Sequence, residues 1–215
     1  MRSRRNRRSR LEVGLAVTAL AALAPLIATC ARPETRTDSS ADRPGEPSKG
    51  RSVEAEVATS SDWDVIYRVL THPRCLNCHP AGDAPLQGDD SHPHAQNVQR
   101  GTDGHGQFAM RCETCHTTEN LPGPHLPPGA PKWQLPEAKM PLVFEGRSSR
   151  ELCRQIQDPA QNGGKTIEEI FHHMAEDPLV GWGWAPGEGR NPVPIARAQL
   201  VEALRSWIAG GCPCP

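Results

Sequence analysis

Beyond residue 60 the chain alternates between stretches where apolar residues recur at helical spacing and one long stretch where no period holds. Trp63, Ile66 and Leu70 fall at i, i+3 and i+7 behind Ser61 and two early carboxylates, and Pro73 follows. This predicts a short amphipathic helix over Asp62–Leu70. Farther on, Ser148-Ser149-Arg150-Glu151 reads as a capping box leading into Leu152-Cys153-Arg154-Gln155-Ile156, stopped by Asp158-Pro159. Asn162-Gly163-Gly164 makes a turn, after which Thr166 and Glu169 cap a helix over Ile167–Glu176 that ends before Pro178. Residues 179–194 read as a loop holding Trp182 and Trp184. Residues 195–209 read as a last helix with Leu200, Leu204, Trp207 and Ile208 on one face and Gly210-Gly211 as its stop.

Between the first and second of these helices, residues 73–144 are rich in Pro, Gly, Asp and His and show no period. An irregular stretch of roughly 70 residues is evidence against a conventional side-chain core there, unless a ligand organises it. The expected fold class is mainly α with long irregular loops.

The first 60 residues follow a different pattern. Six Arg within residues 2–10 precede an apolar run over 11–29 broken only by Glu12. That order is a secretory signal, predicted for residues 1–29. Its most apolar part, 15–28, is 14 residues long and contains Pro25, short of the roughly 20 residues that span a bilayer. Leu26-Ile27-Ala28-Thr29-Cys30 resembles a bacterial lipoprotein signal, which would make Cys30 a lipidated membrane tether; Thr29 departs from that pattern, and ordinary cleavage after Ala31 is the alternative. Residues 30–60 carry Pro, Ser, Arg and acidic residues with almost nothing large and apolar, and read as a solvated linker. Residues 61–215 are then the folded domain.

Composition sharpens this division. The 215 residues include only five Trp, three Phe and one Tyr, few rings for a domain whose core is filled by side chains. The formal net charge of −1 makes a general nucleic-acid binder improbable. Removing residues 1–29 takes away six Arg and one Glu, leaving 18 basic and 24 acidic side chains in a mature protein of charge −6.

The irregular stretch carries the chemistry. Cys75-Leu76-Asn77-Cys78-His79 and, 37 residues on, Cys112-Glu113-Thr114-Cys115-His116 are two copies of CxxCH, the attachment motif of c-type haem. Thiols three positions apart can form thioethers with the two vinyl groups of one porphyrin, and the adjacent imidazole reaches the iron as proximal ligand. A four-cysteine zinc ribbon or a dithiol redox site would explain the thiols but not the histidine after each pair. The sequence thus predicts two covalently attached haems c, on Cys75 and Cys78 with His79 and on Cys112 and Cys115 with His116.

The distal position of each iron decides between an electron carrier and an open, reactive haem. Met140-Pro141 resembles the Met-Pro loop that supplies this ligand in class I cytochromes c, making Met140 the first candidate. Met110 lies too close to Cys112 to cross its haem, and Met174 reads as core. Among loop histidines, His94 is the second candidate and His125 the reserve, with His72 and His92 in similar settings.

Four of the eight cysteines remain: Cys30, Cys153, Cys212 and Cys214. In an oxidising compartment Cys153 is expected to bond Cys214 or Cys212. Cys212 and Cys214 are awkward partners for each other, because an extended chain sets their Cα atoms about 6.5–7 Å apart, at the limit of disulfide geometry.

Longer runs carry a closer resemblance. His72-Pro73-Arg74-Cys75-Leu76-Asn77-Cys78-His79-Pro80-Ala81-Gly82-Asp83, Gln87-Gly88-Asp89-Asp90, His94-Ala95-Gln96-Asn97-Val98-Gln99-Arg100-Gly101, Met140-Pro141-Leu142-Val143-Phe144-Glu145-Gly146-Arg147 and Asp177-Pro178-Leu179-Val180 resemble bacterial chains known as isoquinoline 1-oxidoreductase subunits, over residues 62–215. The resemblance implies an electron acceptor serving a molybdenum hydroxylase. Resemblance to the c-type cytochromes implies a cytochrome c-like fold whose C-terminal helix packs across the helix preceding the first CxxCH, and haem attachment outside the bacterial inner membrane.

The expected function is therefore that of a periplasmic di-haem electron-transfer cytochrome, meeting redox partner proteins through an acidic surface. Two alternatives keep one iron open: a di-haem peroxidase-like enzyme with Glu113, His125 or His92 as acid and base, and a haem-based ligand sensor.

Overall fold

A computed structural model describes residues 61–215. The signal segment 1–29, the linker 30–60 and Cys30 lie outside the described residues.

Four longer helices make the core, and three of them start from reciprocal caps. In α1 (Asp62–Leu70) the Ser61 hydroxyl accepts from the Asp64 amide and the Asp64 carboxylate accepts from the Ser61 amide. The same box opens α3 (Ser149–Gln157) through Ser148 and Glu151, and α4 (Ile167–Glu176) through Thr166 and Glu169. Each box satisfies two backbone donors that a helix start leaves unpaired.

α6 (Arg197–Ala209) lies across α1, the partner expected for it. Trp63 and Trp207 meet with ring centres 5.2 Å apart, and Ser206 donates to Asp62 at 2.6 Å. Ile66, Val69, Leu152, Leu200 and Leu204 are fully buried around them, each such aliphatic side chain contributing about 1.5–3 kcal/mol by leaving water. α6 begins two residues later than its apolar pattern suggests, because Ile195 is buried before the helix starts and Ala196 caps it without a side-chain bond.

Proline changes two boundaries. Asp177-Pro178 ends α4 as expected, but the Asp177 carboxylate also accepts from the Leu179 amide at 2.8 Å and Pro178 opens a one-turn helix, α5 (Pro178–Gly181). A 3-10 turn over Trp182–Trp184 follows, so the expected loop is partly helical. Likewise His72 Nδ1 accepts from the Arg74 amide and Pro73 opens α2 (Pro73–Leu76). A proline ring is compatible with the first helical turn, where its missing N–H costs nothing.

The rest of 73–144 is irregular, as expected. Its regular pieces are two minimal antiparallel pairs, β1 (Leu86–Gln87) with β2 (His92–Pro93) and β3 (Gly106–Gln107) with β4 (Met110–Arg111), and a 3-10 turn over Cys112–Thr114. Polar side chains buried beneath the loops hold them. Arg100, 1% exposed, donates to the carbonyls of Gly82 and Pro136 at 2.9 and 2.8 Å. Gly104 has φ +81°, and a Cβ there would stand 2.0 Å from the Leu135 carbonyl oxygen, so the two loop segments touch only because this residue is glycine. Apart from Phe144, the stretch adds no fully buried residue to the helical core cluster.

The C-terminus is clamped by a disulfide between Cys153 on α3 and Cys214, with Cα atoms 5.7 Å apart. Of the two partners expected for Cys153, Cys214 is the one bonded. Gln157 secures the same corner by donating to the Cys212 carbonyl at 3.0 Å, and Trp207 by donating to the Pro213 carbonyl at 2.9 Å. Among the described residues no helix is long and apolar enough to cross a membrane.

Candidate functional site

Cys75 sits in the last turn of α2, which follows α1 directly and so rests on the helical core. The turn continues past it: the Cys78 amide donates to the Cys75 carbonyl at 3.1 Å and the His79 amide to the Leu76 carbonyl at 2.9 Å. Both thiols and His79 therefore lie along one continuous coil. They line a cavity of 720 Å³ together with Arg74, Trp133, Met140, Leu142, Met174, Trp182 and Trp184, a volume within the roughly 300–1,000 Å³ range of cofactor-sized sites. Burial pushes the Cys75 thiol up to about 12 and the Cys78 thiol up to about 11, so both remain protonated in neutral solution.

His79 is fixed from behind. Its Nδ1 lies 2.8 Å from the Leu142 carbonyl oxygen, and because a carbonyl only accepts, Nδ1 carries the proton. The Nε2 lone pair is left for another partner. Phe144 stacks on the ring at 3.9 Å, and its amide returns to the His79 carbonyl at 2.9 Å, so the 142–144 segment grips the histidine on two sides. Burial holds the imidazole down to about 4, overriding the opposite effect of the Leu142 bond. A neutral imidazole with Nδ1–H tied to a carbonyl is the form that ligates a metal through Nε2.

The second motif repeats the device on different scaffolding. Cys112–Thr114 forms the 3-10 turn, and the His116 amide closes on the Cys112 carbonyl at 2.9 Å. His116 Nδ1 donates to the Pro128 carbonyl at 2.7 Å, and Trp133 stacks on the ring at 4.5 Å. Burial lowers the pKa of this imidazole too, with the Pro128 bond acting the other way. Cys112 is buried and Cys115 exposed, whereas Cys75 and Cys78 are both half-buried. Trp133 also meets Trp182 edge-on at 5.0 Å, and Trp182 lines the first cavity, so rings connect the two motifs.

Compared with protein-family models, with curated proteins and with solved structures, the chain matches none.

The expected distal residues fall in three different settings. His94 comes to His116 with ring centres 6.2 Å apart and planes at 67°, and its Nδ1 is buried without a hydrogen-bond partner. Met140 lines the first cavity, two residues before the carbonyl that backs His79. His125 is exposed at φ +62°, its ring over Gly189 and near neither motif's imidazole in any ring contact. His72 is occupied as the cap of α2, and His92 pairs with Asp90 and Gln87 on an exposed turn.

The donor set fits two c-type haems. Each motif offers two thiols and one tautomer-locked imidazole, the donors that a c-type haem uses. Arg74 fits the same cofactor. It is 5% exposed on the cavity wall, pairs with Asp89 at 2.5 Å, stands over Trp182 and keeps its Nε unpartnered, a buried cation able to receive a propionate.

Sequence reasoning passed over His173. This residue of α4 also lines the first cavity. Its signal was its place on α4, three residues after buried Ile170 and next to buried Met174.

Proposed function

We propose that this protein is a di-haem c-type cytochrome that carries electrons, with one haem bound through Cys75, Cys78 and His79 and the other through Cys112, Cys115 and His116. The observation that carries the reading is the shared tautomer lock: both CxxCH imidazoles give Nδ1–H to a backbone carbonyl, at 2.8 and 2.7 Å, and keep Nε2 for a metal. A four-cysteine zinc ribbon or a dithiol site would leave both imidazoles without a metal to bind. Each haem, when bound, supplies a one-electron iron couple whose potential follows its axial ligands and burial.

The chain's own residues would set up the exchange. The carbonyls of Leu142 and Pro128 would orient the two CxxCH rings, and Phe144 and Trp133 would hold them by stacking. His94 is the distal ligand proposed for the second iron. The charge of −6 left after signal removal would steer the protein toward basic faces of redox partners. Export by residues 1–29, a periplasmic location, a tether through Cys30 and service as the acceptor subunit of a molybdenum hydroxylase-type oxidoreductase belong to the same reading.

The test is expression with its signal in a bacterium that attaches haem c, followed by intact mass and the pyridine haemochrome spectrum. Two haem masses are expected, one lost in Cys75→Ser/Cys78→Ser and the other in Cys112→Ser/Cys115→Ser. A product with four free thiols and no haem would sink the reading.

A further inference from the structure

The geometry points to His173 of α4 as the second axial ligand of the iron attached through Cys75 and Cys78, so that the first haem is held between the CxxCH coil and α4. The inference rests on the haem reading above and identifies the residue that closes that iron's open position.

Three observations converge on it. His173 and His79 line the same cavity as both thiols. His173 Nδ1 faces the Asp177 carboxylate at 3.2 Å, one helical turn on, so its proton lies there and Nε2 remains for another partner, as in a carboxylate–histidine–metal arrangement. His79 is locked in the same tautomer by Leu142. One cavity thus holds two imidazoles, each with Nδ1 anchored in the wall and Nε2 left over, and a haem iron uses one such nitrogen on each face.

The competing side chains on this cavity are less suited. Met140 also lines this cavity, with its side chain beside Gly163, and has no counterpart to the Asp177 carboxylate that anchors His173. Met174 is 6% exposed and packed into the helical core, whereas the His173 side chain keeps 37% of its surface. His105 lines the cavity as well, but its backbone is committed to the second motif, its carbonyl accepting from the Cys112 amide at 3.0 Å.

The test uses the exported, full-length protein. Intact mass counts the haems: a wild type with none would overturn the haem reading and this assignment together, while a wild type with two leaves the ligand to spectroscopy. His173→Ala is expected to keep both haems and convert one of the two irons to high spin, with CO binding on reduction and recovery of the low-spin spectrum in added imidazole. His172→Ala, one position away with its ring exposed between Glu168 and Glu176, is expected to leave the spectrum unchanged. His173→Met is expected to stay low-spin, to acquire a sulfur-to-iron charge-transfer band and to raise the potential of one haem; this variant decides the matter if the alanine protein does not accumulate. Two low-spin irons retained in His173→Ala, no new band in His173→Met, or an upfield-shifted methionine methyl resonance from a ligand in the reduced wild type would each overturn the assignment.

Discussion

His79 and His116 are each controlled by one distant carbonyl, and neither carbonyl belongs to the motif that contains the histidine. Such a bond fixes the ring plane and the tautomer at once, leaving a metal-binding nitrogen without a search among rotamers. His94 differs, because its Nδ1 is buried with no partner, an arrangement that costs about 1–3 kcal/mol unless something occupies it. Its replacement is therefore informative. His94→Ala should leave both haems attached and open the second iron, seen as one high-spin haem and as CO binding to half of the reduced protein. A spectrum identical to wild type would remove His94 from the coordination sphere. At this scale the CxxCH runs were legible from residue identity and spacing, because each spans five consecutive residues. Arg74 and His173 were not, since a buried arginine and a half-buried histidine look like any surface residues until the cavity is formed.

Helix starts carried the clearest local code. Ser61, Ser148 and Thr166 each accept from the amide three residues on, and Asp64, Glu151 and Glu169 return the bond. The Ser148 hydroxyl and amide hold the Glu151 carboxyl below its ordinary value of 4.5, and the Thr166 amide and hydroxyl do the same for Glu169. A carboxyl with a lowered folded pKa gives stability that is complete above its unfolded value and is lost as pH falls through the folded one. Apoprotein melts should thus lose stability as pH drops below about 4.5, and Glu151→Gln/Glu169→Gln should flatten that acid limb without changing the melting point ratio between pH 7 and 8. An equally steep limb in the double variant would show that the boxes do not titrate. Ser148→Ala, which removes a cap outright, should cost about 1 kcal/mol in chemical denaturation. Proline was harder to interpret, because Pro73 and Pro178 both end one helix and open the next. His72 and Asp177 make the difference by capping the new turns with their side chains.

Across the whole molecule, a helical core clustered around α1, α3, α4 and α6 supports one edge of a large irregular segment that contributes little apolar packing of its own. The Cys153–Cys214 bond closes a loop of 61 residues and ties the end of α6 to α3. Loop-closure entropy makes this worth roughly 4 kcal/mol, commonly 2–4 in practice. Cys153→Ser/Cys214→Ser should lower the midpoint of urea unfolding accordingly, while leaving haem attachment at both motifs intact; a midpoint equal to wild type would mean that core packing alone holds the C-terminus. The few aromatic residues divide in this architecture: Trp63 and Trp207 pack in the helical core, Trp133, Trp182 and Trp184 line the cavity, and Phe144 belongs to both.

Whatever depends on a few consecutive residues could be read from the chain: three capped helices, the α6 stop and the two CxxCH runs. Those features are governed by interactions reaching three or four positions, and their residue types are restrictive. Long-range placement could not be read, because residues 73–144 have no period to set their register and are held by buried Arg100, by Gly104 and by single side-chain bonds to distant carbonyls. Only the folded chain brings Leu142 behind His79, Pro128 behind His116, His94 to 6.2 Å from His116, and His173 onto the wall of the first cavity.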